Sequence, residues 1–208
     1  MKGQFFPYKD ENVAKSTPYV TYALIAINVI IFIVSLTDFE TIINTYGFKP
    51  SEFVLITIIT SMFLHGGIGH VFGNMWYLFM FGDNVEDRLG KVKYVIFYML
   101  AGLAATLTHY ITNISSSIPA IGASGAISGV LGAYIVFFPH AKVHTIGPFY
   151  QRFTIPAYTM LGLWFLMQFL GVFAGEGGIA FFAHIGGFVF GAAVAWIYMQ
   201  ITREGKKK

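Results

Sequence analysis

Long apolar segments alternate along the chain with short segments that carry almost all of its charges. Asp, Glu, Lys and Arg are absent from residues 16–37, 53–82, 94–141, 153–175 and 177–202. The 94–141 segment is too long for one helix, and a turn-rich polar run at 112–119 divides it. A bilayer-spanning helix needs about 20 apolar residues. The pattern therefore predicts six spans, at about 19–36, 69–83, 92–112, 124–138, 154–173 and 181–202.

The predicted fold class is all-α, a polytopic membrane bundle of six transmembrane helices that forms one membrane domain over residues 1–208. Composition agrees, because 56% of the 208 residues are hydrophobic and only 11% are charged, against about 25% charged in soluble domains. Such a chain is neither disordered nor able to cover a soluble body with polar surface. The absence of cysteine excludes disulfides, thiolate zinc sites and a cysteine nucleophile.

The basic residues predict the orientation of the spans. With six spans, 12 of the 13 Lys and Arg residues fall on one side, and Lys49 falls on the other. Because basic loops stay in the cytoplasm, we expect both termini there, in a multi-pass protein of the cell (inner or plasma) membrane. An organelle membrane is an open alternative. The basic tail Lys206–Lys208 reads as a topology anchor, and nucleic acid is not an expected partner.

Ser124 stands at the start of the fourth predicted span, between Gly122 and Gly125. A serine at this position can cap the helix or pack against a neighbouring span, and nucleophilic chemistry is the alternative. The fifteen residues from Ser124 to Phe138 form a helix of about 22 Å, which is shorter than a hydrocarbon core of about 30 Å. We therefore expect Ser124 to lie below the membrane surface, in a cavity open to the non-cytoplasmic side.

His184 stands near the start of the sixth predicted span, on the same helix face as Gly187 and close to Gly191. A buried, structurally satisfied histidine is one interpretation. If this small-residue face packs on the glycines of the fourth span, His184 reaches Ser124 and the pair forms a nucleophile and a general base. Glu176, the nearest carboxylate in the sequence, lies in a glycine-rich loop and is poorly placed to hold the imidazole. The sequence therefore favours a dyad.

His70 and Asn74 are four residues apart in the second predicted span and share a helix face. A metal site is the alternative, but asparagine is a poor zinc ligand and no carboxylate joins the pair. As neutral donors directed at one point, they suit an oxyanion hole. Neither a metal nor an organic cofactor is predicted.

These motifs together resemble the rhomboid family of intramembrane serine proteases. The resemblance rests on His65–Asn74, Glu86–Gly90, Gly122–Gly125 and Ala183–Gly191, in this order and topology. It implies a rhomboid-like fold and hydrolysis of a peptide bond in or near the transmembrane segment of a membrane-protein substrate that enters laterally from the lipid bilayer. Ser124 matches the nucleophile and His184 the general base. His70, Asn74 and the backbone N–H of Ser124 match the oxyanion donors.

The resemblance implies further features of the bundle. Glu86 and Arg88 match a structural polar pair, and the 174–180 loop matches a cap over the active site. Lateral entry is expected between the second and fifth spans, where Trp76 and Phe79 would face aromatic residues at 164–169.

The sequence departs from the family pattern at two places. Ser128 occupies a position where some bacterial members stack an aromatic ring on the base, so packing or a hydroxyl is expected to hold His184 instead. No arginine occurs in the first loop, at 37–68, so that loop must be secured differently.

Two other functions are compatible with a six-span bundle. One is a catalytically inactive rhomboid-like protein that binds transmembrane helices, which would have no need of Ser124, His184, His70 and Asn74 together. The other is a small transporter, for which paired discontinuous helices or intramembrane carboxylates would be expected.

Overall fold

A computed structural model of the protein describes residues 6–147, 151–174 and 179–204, and the following elements refer to that part. The helices are α1 (Tyr19–Ser35), α2 (Phe39–Tyr46), α3 (Thr57–Thr60), α4 (Ile68–Leu89), α5 (Lys91–Thr112), α6 (Ser124–Phe137), α7 (Ala157–Ala174) and α8 (Phe181–Glu204). The strands are β1 (Phe6–Asp10), β2 (Lys142–Ile146) and β3 (Arg152–Pro156). The fold is mostly helical, as predicted.

The six long helices coincide with the six predicted spans, with shifted ends. Helix α4 continues beyond the predicted end at 83 to Leu89, and α7 begins at Ala157 because the preceding residues form β3. By length and composition, α5, α7 and the Phe181–Thr202 part of α8 are able to cross a membrane, and α1 and α6 are shorter apolar helices. The six-span count therefore stays a prediction.

A small sheet corrects the all-α prediction. Strands β1, β2 and β3 form an antiparallel sheet in that order, with Phe6 opposite Ile146 and Lys142 opposite Pro156. The strands are five residues each, and β2 alternates polar and apolar side chains as a half-buried strand does. Sequence analysis missed β3 because its uncharged end merges into the apolar run of α7.

The sheet is fixed to the helices through Asp10 at the end of β1. The carboxylate of Asp10 accepts hydrogen bonds from the Tyr134 hydroxyl of α6 (2.5 Å) and from the Asn84 side-chain amide of α4 (3.1 Å). Burial raises the pKa of Asp10, and the hydrogen bond from Tyr134 opposes this shift. The amino-terminal strand thus packs against the ends of two long helices.

Basic side chains gather at one end of the bundle, here called the basic end. Lys91 at the start of α5 lies 4.4 Å from the Tyr19 ring at the start of α1, and Lys93 lies 5.3 Å from the Tyr198 ring near the end of α8. The starts of α1 and α5 therefore meet the end of α8, as the predicted topology requires. Lys2 and Lys206–Lys208 lie outside the described residues.

Glu86 and Arg88 do not form the polar pair that the resemblance implied. The Glu86 carboxylate accepts hydrogen bonds from the Thr21 backbone N–H (2.8 Å), the Thr21 hydroxyl (2.9 Å) and the Val20 N–H (3.1 Å). It thereby satisfies unpaired donors in the first turn of α1 and complements the helix dipole there. The Arg88 guanidinium instead lies over the Phe137 ring, 5.7 Å from its centre.

Helix α6 forms the centre of the bundle. All residues from Gly125 to Tyr134 are buried, and α4, α5, α7 and α8 surround the helix. Helix α8 packs directly against the backbone of α6, because a Cβ atom added at Gly187 or Gly191 would overlap a backbone carbonyl oxygen of α6. The close α6–α8 packing predicted from the glycine spacing is confirmed.

Candidate active site

The starts of α6 and α8 lie side by side, at the end of the bundle opposite the basic end. There the Nε2 atom of His184 lies 2.8 Å from the Ser124 hydroxyl oxygen. Ser124 is the first residue of α6, the N-cap position belongs to Ala123, and no side chain caps this helix. The capping role that sequence analysis considered for Ser124 is therefore not the one it has, and its hydroxyl is hydrogen-bonded to the imidazole.

A residue that sequence analysis missed holds the other nitrogen of His184. The Gln168 side-chain oxygen lies 2.8 Å from His184 Nδ1, and the Gln168 amide nitrogen donates to the Trp164 carbonyl (2.9 Å). Gln168 is only 5% exposed, within the apolar helix α7. The signal was available, since a buried polar side chain inside an apolar span is costly and marks a functional site.

Ser128, the residue at the aromatic position of some family members, does not hydrogen-bond to the base. Its hydroxyl donates to the backbone carbonyl of Ser124 one turn earlier in α6, at 2.6 Å. The aromatic rings nearest to His184 are those of Trp164 (6.0 Å between centres) and Phe181 (6.5 Å). The base is therefore flanked by side chains of α7 and α8, and of the two expected supports, packing or a hydroxyl, the Ser128 hydroxyl does not serve as one.

His70, in the first turn of α4, presents its ring to the segment that leads into α6. The Gly66 backbone N–H donates to His70 Nδ1 at 3.2 Å, so the neutral ring carries its proton on Nε2. That nitrogen faces Gly122, where an added Cβ atom would lie 2.9 Å from His70 Nε2 and 3.5 Å from the Ser124 hydroxyl oxygen. Gly122 also has a φ of +128°, which a side chain would strain.

Asn74 lies one turn after His70 on α4 and is 7% exposed. Its side-chain nitrogen donates to the His70 backbone carbonyl at 3.0 Å. This bond uses one of the two amide hydrogens and leaves the second for another acceptor. The structure thus joins Ser124 and His184 directly, sets His70 beside the Gly122 backbone, and keeps Asn74 hydrogen-bonded within its own helix.

The first loop closes over the entrance to α6 by backbone pairing. Phe48 and Ala120 exchange two backbone hydrogen bonds (3.1 and 2.8 Å), and the Gly122 N–H donates to the Ser61 carbonyl (2.9 Å). These bonds secure the loop without the arginine that many family members carry. Exposed apolar side chains at Val54–Ile56 suit a loop that lies in the membrane interface.

A small cavity adjoins Ser124 on the side of α5. Its volume is about 40 Å³, and its lining includes Ser61, Thr106, His109 and Gly122. A water molecule needs roughly 10–15 Å³ of such space and two or more polar partners. The cavity therefore has room for water next to the Ser124 hydroxyl.

The aromatic contact predicted across α4 and α7 is not observed in the described part of the chain. Trp76 stacks on Phe6 (5.4 Å between ring centres) and donates its indole N–H to the Pro7 carbonyl (2.7 Å). Trp164 lies against His184 instead. Residues 175–178, which include Glu176 and most of the predicted cap loop, lie outside the described residues.

Comparison with known proteins identifies the family. A family model described as the Rhomboid domain matches residues 52–201. The chain belongs to the rhomboid family. Because that family is membrane-embedded and the chain contains apolar helices of membrane length, this rhomboid-family protein is an integral membrane protein.

Several known rhomboid proteins align with the chain. It is 29% identical over 229 residues to "Rhomboid protein 1, mitochondrial" of Saccharomyces cerevisiae, covering 100% of the chain and 64% of that protein. It is 30% identical over 175 residues to the human "Presenilin-associated rhomboid-like protein, mitochondrial", covering 81% of the chain and 45% of that protein. YdcA of Bacillus subtilis, whose name describes it provisionally as a rhomboid protease, is 29% identical over 143 residues, with 69% of the chain and 67% of YdcA covered.

The chain thus spans 64% of the length of the yeast relative and 45% of the length of the human one. These relatives are named as mitochondrial proteins. Membership of the rhomboid family therefore does not assign the chain to a particular membrane.

Proposed function

We propose that this rhomboid-family protein is an intramembrane serine endopeptidase that hydrolyses a peptide bond in or near the transmembrane segment of membrane-protein substrates. The observation that carries the proposal is the 2.8 Å hydrogen bond between His184 Nε2 and the Ser124 hydroxyl. Polar and ionisable side chains inside apolar helices are costly, so a paired hydroxyl and imidazole there indicate a functional site. The rhomboid-protease name given to YdcA supports the same activity.

The reaction begins with proton transfer within the dyad. His184 Nε2 accepts the hydroxyl proton while Ser124 Oγ attacks the scissile carbonyl carbon, which forms a tetrahedral oxyanion. His184 then donates this proton to the nitrogen of the leaving segment as the C–N bond breaks. Ser124 is left as an acyl-enzyme, and a water molecule, deprotonated by His184, hydrolyses it.

Stabilisation of the oxyanion falls to the groups around Gly122. His70 carries its proton on Nε2, toward Gly122, so it is a donor to a negative oxygen near Ser124. The backbone N–H of Ser124 is a free donor at the start of α6. Asn74 has a second amide hydrogen to contribute. Donors that are fixed in place before the reaction stabilise the transition state more than the substrate.

The membrane arrangement follows from the positions of the charges. We propose a single rhomboid-type membrane domain over 1–208, with six spans and the basic end in the cytoplasm of a cell that holds the protein in its inner or plasma membrane. The 14 residues of α6 extend only about 21 Å. Ser124 therefore lies below the opposite surface, and substrates enter laterally from the lipid, between α4 and α7.

Labelling with a fluorophosphonate probe tests the assignment of the nucleophile. The purified protein is expected to react covalently at Ser124, and Ser124→Ala to lose all labelling, because the probe requires an activated serine. Labelling of folded Ser124→Ala at the wild-type rate would contradict the proposal. Folded wild-type protein that takes up no probe would favour the second candidate, an inactive rhomboid-like protein that binds transmembrane helices.

The oxyanion donors are tested by separate alanine substitutions. His70→Ala and Asn74→Ala are each expected to lower kcat about 10²–10³-fold with little change in KM, because each removes a donor used mainly in the transition state. The measurement is cleavage of a transmembrane substrate reconstituted in vesicles. Asn44→Ala is the matched control, since Asn44 makes the same bond to a carbonyl four residues earlier, on exposed helix α2. An Asn74→Ala enzyme as fast as Asn44→Ala would exclude Asn74 from the oxyanion hole.

A further inference from the structure

We propose that Gln168 is a positioning residue, which holds the proton of His184 on Nδ1 and makes the alignment of the dyad depend on α7. The proposal rests on the proposed function and deepens it. It adds a third side chain, from a helix that contributes neither Ser124 nor His184, to the group that prepares the general base.

The orientation of the Gln168 amide is fixed by its second partner. Its nitrogen lies 2.9 Å from the Trp164 backbone carbonyl, which can only accept a hydrogen bond. The amide group therefore presents its oxygen, not its nitrogen, to His184 Nδ1 at 2.8 Å. The reversed amide would set two oxygens against each other at Trp164, so only this orientation satisfies both partners.

An acceptor at Nδ1 determines the protonation of the neutral imidazole. The proton must lie on Nδ1 to donate to the Gln168 oxygen, and Nε2 then carries the lone pair. Nε2 is the atom that lies 2.8 Å from the Ser124 hydroxyl. Gln168 thus selects the one neutral form of His184 that is able to accept the serine proton.

Nothing else in the described part of the chain competes for this role. Ser124 and Gln168 are the two side chains within hydrogen-bond distance of the His184 ring there. Ser128 is occupied by the Ser124 carbonyl. His70 of α4 accepts from the Gly66 N–H at Nδ1 and directs Nε2 toward Gly122, so it makes no hydrogen bond to the His184 ring.

The contacts that orient the base therefore come from one turn of α7. Trp164 lies beside the imidazole, and Gln168, four residues later, accepts its proton. A hydrogen bond of 2.8 Å is lost when its atoms separate by about 1 Å. The acceptor for Nδ1 is thus in place only while α7 lies against α8, so a displacement of α7 by this distance would disconnect Gln168 from the base.

The tautomer of His184 is the direct test. The full chain, labelled with ¹⁵N-histidine, is studied by NMR at mildly alkaline pH, where neutral imidazole dominates, and the His184 signals are identified by their loss in His184→Ala. Six histidines make this assignment practical. Wild-type His184 is expected to carry its proton on Nδ1. Gln168→Met, which keeps the length of the side chain but replaces the amide oxygen with a weakly accepting sulfur, is expected to shift the proton toward Nε2.

Kinetics supply the second readout. Gln168→Met is expected to lower kcat about 10- to 100-fold with KM nearly unchanged. Gln168→Glu is expected to recover most of the lost kcat, because its protonated carboxyl group keeps an acceptor oxygen for Nδ1 and an O–H donor for the Trp164 carbonyl. Gln200→Leu, near the opposite end of α8, is the control for a glutamine lost from an apolar helix, and it should alter neither the tautomer nor kcat. A uniform loss of activity in all three variants would indicate a merely structural role and overturn the proposal.

Failure of this proposal is distinguishable from failure of the protease assignment. A wild-type proton on Nε2, or a tautomer unchanged in Gln168→Met, overturns the role of Gln168 even if the protein cleaves substrates. A tautomer that moves as expected in a protein that cleaves nothing upholds the role of Gln168 and refutes the proteolytic function. The wild-type measurement alone decides the matter if Gln168→Met does not fold.

Discussion

Replacement of Ser124 with alanine is expected to reduce cleavage of a transmembrane substrate to the uncatalysed background, a loss on the order of 10⁶ in kcat. The physical reason is that no other described side chain within reach of His184 Nε2 is a nucleophile. The oxyanion donors remain, but water must then attack the carbonyl directly, and the much faster route through the acyl-enzyme is lost. Cleavage is measured with purified protein in vesicles, so that other proteases are absent.

His184→Ala is expected to lose nearly as much activity as Ser124→Ala, and the double variant no more than either. The serine and the histidine act as one unit, so the removal of either residue abolishes the catalytic contribution of the other. Effects that multiplied across the double variant would show that the two side chains contribute independently, and would contradict a dyad.

Ser128→Ala is the matched control, since Ser128 lies one turn from Ser124 in the same helix and its hydroxyl bonds to the backbone. We expect this variant to keep activity within about threefold of wild type, because an intrahelical hydroxyl bond contributes little. Cleavage that persisted in Ser124→Ala and was lost in Ser128→Ala would move the nucleophile to Ser128.

The helical part of the fold was predictable because helices surrounded by lipid require long runs of uncharged, apolar residues in the sequence. Uncharged runs mark the long helices, and glycines at four-residue spacing mark where α6 and α8 approach. Helix ends were less predictable, since the charged last turns of α4 continue as helix through Glu86 and Arg88. The sheet was missed because its strands have only five residues each, and because β1 lies far along the chain from β2, with which it pairs through tertiary contacts alone.

The candidate site was predictable where polar groups stand out against apolar helices, as Ser124 and His184 do. Gln168 stands in an equally apolar helix, but a single glutamine has no motif partner in the sequence, and its role depends on the packing of α7 against α8. The partners of Glu86 could not be predicted either, because they are two backbone N–H groups and a hydroxyl in the first turn of α1. Sequence spacing reports contacts within a helix, and it does not report which backbone a side chain will meet.

Gly191→Ala is expected to destabilise the protein by about 2–4 kcal/mol and to abolish fluorophosphonate labelling at Ser124. An added Cβ atom would overlap the Gly129 carbonyl oxygen and come within 2.6 Å of its carbon and 2.7 Å of its Cα. All three atoms belong to the backbone of α6, so no side-chain rotation relieves the overlap. Helices α6 and α8 must separate, which also separates Ser124 from His184. Thermal unfolding in detergent and labelling of the variant measure the two effects.

Alanine substitutions at two other glycines serve as controls, because each adds the same methyl group in a different environment. Gly162, in α7, has no atom within 4 Å of an added Cβ, so Gly162→Ala should leave labelling intact and stabilise the helix by up to about 1 kcal/mol. Gly102 would meet the Met62 side chain, which is flexible enough to move, so Gly102→Ala should lie between the two. If Gly191→Ala unfolded at the same temperature as Gly162→Ala, direct backbone contact between α6 and α8 would be excluded. The glycines of α8 would then have no role in bringing His184 close to Ser124.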